Sequence, residues 1–239
     1  MKILLPPSET KAVGGEQPPL AQAPINDSLQ QAREIIIESL IQLCSDPELA
    51  KKALKLGPKQ LDDIQRNLEL MNSPTMPAID RYTGVLYDAL KASGAVGGND
   101  VYIQSALFGL IPATTPIPYY RFSWDSKLPG INLKQHWKQA HQDFFEPSEQ
   151  VLDMRSKSYQ ELAPIDSSNS WVVEVFVEYA NGERKPLNHF NKKAKGVFAR
   201  FAETEGLEGI DQVEQLALKA GQRAEIADGV VTLVVPEGY

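Results

Sequence analysis

The side chains best suited to chemistry follow short apolar runs. Ser8, Glu9, Thr10 and Lys11 come directly after Lys2 to Leu5, a run that reads as a buried strand and ends at Pro6-Pro7, since proline has no N–H to give to a ladder. Ser105 to Gly109 follow a second run, Val101-Tyr102-Ile103, and Asp153 to Ser156 close a third that begins at Val151. Arg121 stands beside a proline-rich segment. In open α/β sheets ligands bind outside the carboxyl ends of the strands, so these segments are expected to meet in one polar cleft. Ser8, Glu9, Lys11, Arg121 and Asp153 are then the candidates for chemistry on a nucleotide or nucleobase, with Glu9 as the base if it is desolvated.

Other constellations offer less. Ser8-Glu9-Thr10-Lys11 matches the S-x-x-K of penicillin-recognising enzymes, but the partner motifs S-D-N and K-T-G do not occur, so the match carries no weight. Phosphate-loop and dinucleotide glycine motifs are missing as well. His136 and His141 are five apart, about 140° around a helix, and cannot chelate together; with His189 they give no metal set. No cofactor is expected. Cys44 is the one cysteine, which rules out an internal disulfide, and it reads as a buried helix residue.

Charge points to a partner once it is read by position. The chain of 239 residues has 24 Lys and Arg against 31 Asp and Glu, a net charge of −7. Asn181 to Arg200 holds six bases against Glu183, a local +5 that leaves 18 bases against 30 acids elsewhere. Such segregation allows phosphate binding on one face of an acidic protein. Arg184, Lys185, Lys192, Lys193, Lys195 and Arg200 are the candidate contacts. Lys192 and Lys195 share a helix face at i, i+3, and Phe190, Ala194, Val197, Phe198 and Phe201 supply the buried one. A second basic stretch, Lys51 to Arg66, contains Lys55-Leu56-Gly57-Pro58-Lys59, which resembles the second half of a helix-hairpin-helix element. There, free N–H groups at a helix start meet a phosphate and Lys55 or Lys59 adds charge. Leu128-Pro129-Gly130-Ile131 is a weaker candidate of the same kind. The plain alternatives are a solvated lysine face and an ordinary turn between helices.

The elements that must position these groups alternate between helix and strand. The N-terminal third is helical: a helix begins at Asn26, Asp27 or Ser28, another at Pro47, and a third carries Leu61, Ile64, Leu68 and Met71. A helix over Tyr82 to Leu90 precedes the strand at Val101. Phe108 to Tyr120, with Pro112, Pro116 and Pro118, is expected to be irregular. Helices over Ile131 to Phe145, Asn191 to Thr204 and Asp211 to Ala220 flank a strand at Trp171 to Tyr179, and hairpins turn at Asn181-Gly182 and Asp228-Gly229. The reading is one mixed α/β (α+β) domain, 1–239, with a mixed sheet and a basic cleft. Its hydrophobic content of 42% suits a packed core. The three apolar residues after Lys2 are too few for a signal peptide, and no stretch approaches a membrane span. A cytoplasmic location away from the membrane is expected.

Ordered along nearly the whole chain are stretches that resemble the YaaA family of peroxide-stress proteins. They are Leu4 to Lys11, Arg81 to Tyr87, Gln104 to Pro112 with Pro118-Tyr119-Tyr120-Arg121, His136-Trp137-Lys138, Asp153 to Tyr159, and Lys192 to Gly196 with Arg200-Phe201. Glu9 stands where many relatives have lysine, with Lys11 two residues on. The resemblance implies a cytosolic mixed α/β protein that binds DNA, duplex or distorted and with weak sequence selectivity, through a basic cleft and a helix-hairpin-helix-like element. It further implies a part in limiting damage from iron and peroxide. The alternatives are an enzyme acting on a small nucleotide-like ligand in the same cleft, and a basic helix that docks the chain's own acidic tail, Glu203 to Asp228.

Overall fold

The computed structural model describes residues 1–92, 100–165, 169–187 and 191–239. His189, Phe190 and the glycine-rich boundary at 94–98 lie outside the described residues. After β1 (Lys2–Leu5) come α1 (Gln30–Cys44), α2 (Pro47–Ala53) and α3 (Asp62–Leu68). Asp27 Oδ1 accepts the Leu29 N–H at 2.9 Å just ahead of α1, and Asp46 caps α2 by accepting from Leu49 N–H at 3.0 Å, as side-chain oxygens do for the orphan donors of a helix start. α1 turns Ile36, Ile37, Leu40, Leu43 and Cys44 inward.

Next come β2 (Met76–Pro77), α4 (Ala78–Arg81), α5 (Val85–Lys91), β3 (Val101–Ser105), β4 (Gly109–Pro112) and β5 (Pro116–Ile117). Two expectations fail here. Tyr82 to Leu90 is not one helix, because Tyr82 is extended and Gly84 takes φ +100 before α5 begins. Phe108 to Tyr120 is not wholly irregular. β4 runs antiparallel to β3, with Tyr102 opposite Pro112, and β5 pairs with β2. Pro112 is tolerated because β4 is the sheet's edge strand and the proline ends it.

The remainder is α6 (Leu133–Ala140), β6 (Val151–Asp153), α7 (Lys157–Leu162), β7 (Ser170–Glu178), β8 (Arg184–Pro186), α8 (Asn191–Glu205), α9 (Val213–Lys219), β9 (Arg223–Ala227) and β10 (Val230–Pro236). The Asn181-Gly182 and Asp228-Gly229 hairpins form as expected. The mixed sheet has the order β4-β3-β1-β6-β7-β10-β9, with β8 beside β7. Its centre, β3-β1-β6-β7-β10, is parallel. Side chains alternate across it, so Ile3, Leu5, Ile103 and Leu152 join the main core. Leu4 and Val151 pack instead with Leu29, Leu110 and Phe145. Both faces of the central strands are therefore buried, which explains why β1 is a continuous apolar run. From β1 the chain goes to β3 on one side and later to β6 on the other. This reversal marks the carboxyl ends of β1 and β6 as the expected ligand crevice.

Candidate functional site: a basic cleft at the carboxyl ends of β1 and β6

A cavity of about 500 Å³ opens at that reversal. It is lined by Pro6 to Lys11 after β1, Thr83 to Tyr87 at the start of α5, Tyr120 to Trp124, Met154 and Ser156 after β6, Tyr159 of α7, and Asn191, Lys192 and Lys195 at the start of α8. The chain after β1 is tied to the segment ahead of α5. Lys11 and Tyr82 form an isolated antiparallel bridge, the Thr83 N–H donates to the Thr10 carbonyl at 3.2 Å, and the Tyr87 hydroxyl donates to the Pro6 carbonyl at 2.7 Å. Gly84 completes this wall. Its positive φ suits glycine, and a β-carbon there would also meet Thr10 Oγ1 at 3.3 Å. Buried Arg81 braces it from behind, donating to the Ala12 carbonyl at 2.6 Å and to the Ile117 carbonyl at 3.1 Å.

Of the five candidates for chemistry, the fold brings Ser8, Glu9, Lys11 and Arg121 together. Glu9 is 77% exposed at the rim, 3.6 Å from Arg121, so the desolvated setting imagined for a base is not met. Asp153 lies outside the cavity lining. It is buried and holds Arg155 through two side-chain bonds of 2.9 and 2.8 Å, while Arg155 also donates to Gln104 and to the Ala163 carbonyl. The carboxylate is committed to an internal ion pair.

Lys11 has an unusual setting. Its Nζ donates to the Ser8 carbonyl at 3.1 Å and lies over the Tyr120 ring, 4.4 Å from its centroid, with Tyr82 at 5.5 Å. Loss of hydration, reinforced by the Arg121 guanidinium, brings its pKa down from 10.5 to about 7. Lys195 is 6% exposed and donates to the Met154 carbonyl at 3.1 Å; burial lowers its pKa to about 8 against the pull of Asp153. Beneath Lys11, the Tyr120 hydroxyl bonds to Tyr82 at 2.7 Å and to Ser105 at 2.8 Å. Ser105 Oγ accepts the N–H groups of Leu107 and Phe108, so these hydroxyls form a buried support rather than free reagents.

The basic segments divide. Lys192 and Lys195 line the cleft together, the face expected from their spacing. Lys193 lies over the Tyr239 ring at 5.0 Å, and Arg200 sits against Phe201 while donating to the Ala89 carbonyl. Arg184 pairs with Glu178 and Glu225, and Lys185 with Glu183, on the β7–β8 surface. In the hairpin between α2 and α3, Pro58–Gln60 forms a 3₁₀ turn. Lys59 is exposed, Lys55 pairs with Asp125 at 2.5 Å, and Gly57 N–H is already taken by the Gln60 side chain at 2.9 Å. Leu128 and Ile131 bridge across a tight turn. Sequence reasoning passed over Tyr120 and Trp124 as lining residues. Tyr120 enters the sequence reading as the end of the proline segment and within the family-like run ending at Arg121, and nothing in the spacing marks Trp124.

Among the described residues, no group of three or more His, Cys, Asp or Glu is placed to hold a metal, and no helix is long and apolar enough to cross a membrane.

Comparison with known proteins places this arrangement in a lineage. The family described as peroxide stress protein YaaA matches residues 1–221. The chain belongs to the YaaA family. A UPF0246 protein of Corynebacterium efficiens is 38% identical over 98% of this chain and 100% of its own length. Another, from Corynebacterium glutamicum, is 41% identical over 84% of each chain. One from Streptomyces coelicolor is 35% identical over 84% of this chain and 82% of its own. The match spans both the β1 and β6 ends and the start of α8, so the whole cleft of this YaaA-family chain falls within it.

Proposed function

We propose that this YaaA-family protein serves the peroxide-stress response by binding DNA, with the cleft taking up its phosphates. The observation that carries this reading is the gathering of Lys11, Arg121, Lys192 and Lys195 around one cavity whose lining has a single carboxylate, Glu9. In a chain of net charge −7, that is a local site for an anion within an otherwise repelling surface. Family membership supports the peroxide-stress role. The hairpin at Gly57-Pro58-Lys59 extends the reading as an auxiliary contact through exposed Lys59 alone, since the Gly57 N–H and Lys55 already have partners.

Counterion release makes such binding fall steeply with salt. The test is the slope of log affinity against log salt for a short duplex, intact or bulged, comparing the wild type with Lys192→Ala and Arg121→Ala. Each lost phosphate contact should flatten the slope by about 0.9. Arg184→Ala, altered on a surface where the arginine is already paired, should leave it unchanged. Slopes that are equal for all four proteins would remove the cleft from the interface.

A second reading, an enzyme acting on a nucleotide-like ligand in the same cleft, is favoured by one observation: the Lys11 amine lines the cavity against the Tyr82 and Tyr120 rings with no carboxylate in contact, where lost hydration lowers its pKa to about 7.

A further inference from the structure

The cleft cations differ in what surrounds them. Arg121 faces the Glu9 carboxylate, Lys192 is exposed, and Lys195 donates to a carbonyl with Asp153 nearby. Lys11 has aromatic faces and the Ser8 carbonyl around its Nζ, and no carboxylate in contact with it. Of the charges that act on it, Arg121 and Arg81 repel and Asp63 and Glu9 attract from a distance. A lysine desolvated in a pocket beside another cation is the usual setting for an amine that attacks carbonyls.

Size narrows what can reach it. About 500 Å³ accommodates a ligand of nucleotide size. A duplex can lay phosphates along the rim, where Lys192 is exposed, but a sugar that meets Lys11 inside must leave the stack. We propose that the Lys11 amine forms an imine with the aldehyde of a phosphorylated sugar, met in DNA as the ring-opened deoxyribose of an abasic nucleotide. This deepens the proposed function and rests on its phosphate-binding cleft. The neutral amine's lone pair attacks the C1 aldehyde carbon, and its two N–H protons pass in turn, through solvent, to the carbonyl oxygen. The carbinolamine then expels that oxygen as water, giving the C=N bond with no change of oxidation state. Arg121 and Lys192 hold the phosphate, and an abasic sugar fits the space because it carries no base. Near pH 7 a substantial share of Lys11 is neutral, whereas an ordinary lysine is almost wholly protonated.

The test uses the full chain with two probes, 2-deoxyribose 5-phosphate and an oligonucleotide duplex with one abasic site. Each is incubated at pH 7 with cyanoborohydride, which reduces an imine to a stable secondary amine that peptide mass mapping can locate. The expected result is an adduct on Lys11 exceeding that on any exposed lysine by on the order of tenfold. Lys11→Arg, which keeps a cation but has no attacking amine, should lose the adduct, and its thermal midpoint reports whether the fold survives. Adducts spread evenly over surface lysines in the wild type would overturn the proposal without recourse to any variant. If the free sugar phosphate is trapped on Lys11 but the abasic duplex does not bind, the amine chemistry stands and the DNA reading falls. If DNA binds through the cleft and neither aldehyde is trapped there, the DNA reading stands and the imine falls.

Discussion

The Asn67 side chain holds the Arg121 backbone from both sides, its Nδ2 donating to the Arg121 carbonyl at 2.9 Å and its Oδ1 accepting the Arg121 N–H at 2.8 Å. Asn67 is fully buried on α3, the helix that leaves the Gly57-Pro58-Lys59 hairpin, so the helical N-terminal third sets where the cleft's arginine sits. Asn67→Ala leaves a partly buried N–H and carbonyl without their partner, at up to about 1–3 kcal/mol for each group left unsatisfied. The expected outcome is a lower thermal midpoint together with weaker anion binding, approaching that of Arg121→Ala. Unaltered affinity in a folded Asn67→Ala protein would separate the peg from the site.

The width of the cleft depends on how closely α5 and α8 cross. A β-carbon on Gly196 would lie 2.3 Å from the Leu86 carbonyl oxygen, a backbone atom that cannot swing aside. Alanine normally favours a helix over glycine by up to about 1 kcal/mol, but overpacking typically costs about 1–3 kcal/mol and should win here. Gly196→Ala is therefore expected to destabilise, as read by urea unfolding. It should also push Lys192 and Lys195 away from Val85 and Leu86, lowering anion affinity.

Asp153 and Arg155 form an ion pair with side chains 7% and 0% exposed. Removing one partner of a buried pair costs about 3–5 kcal/mol, because the other charge is left uncompensated. Asp153→Asn should lose that much stability in denaturant titration. It should also lower the Lys195 pKa further, since Asp153 is the charge that supports it most. A variant of normal stability that had lost only a catalytic turnover would return Asp153 to the list of reacting groups.

His141 gives the protein an acid limit. Its Nδ1–H donates to the Trp137 carbonyl at 2.8 Å and its Nε2 accepts the Leu110 N–H at 3.0 Å, so the ring is neutral with both nitrogens occupied. Burial, with the charges of Arg155 and Arg33, depresses its pKa from 6.5 to about 4. Between those values the unfolded histidine takes up a proton that the folded one refuses. Stability present above pH 6.5 is thus lost as pH falls toward 4, by up to roughly 3 kcal/mol. Thermal midpoints measured across that window should show the slope, and His141→Gln, which keeps an acceptor for Leu110 but does not titrate, should flatten it.

Much of this architecture was legible from residues in order. β1, β6, β7, the two glycine-turned hairpins and the basic helix α8 follow from local pattern, because apolar period and turn chemistry act over a few residues. So did the expectation that the residues after β1 would meet Arg121, which rests on a general property of parallel sheets. Local pattern failed where a distant partner decides the conformation. Gly84 breaks the helix expected over Tyr82 to Leu90 because Tyr82 is needed as the bridge partner of Lys11. The proline segment after Phe108 becomes β4 only because β3 offers it an open edge.

The sequence by itself determined the fold class, the family and the inventory of charges. Tertiary structure decided which charges face one another, because that depends on helix crossings and strand order that no short window contains. It took Asp153 out of the cleft by burying Arg155 against it, and tied Arg184 and Lys185 into surface pairs. It also set the Lys11 amine against the rings of Tyr82 and Tyr120, where lost hydration rather than any motif shapes its chemistry.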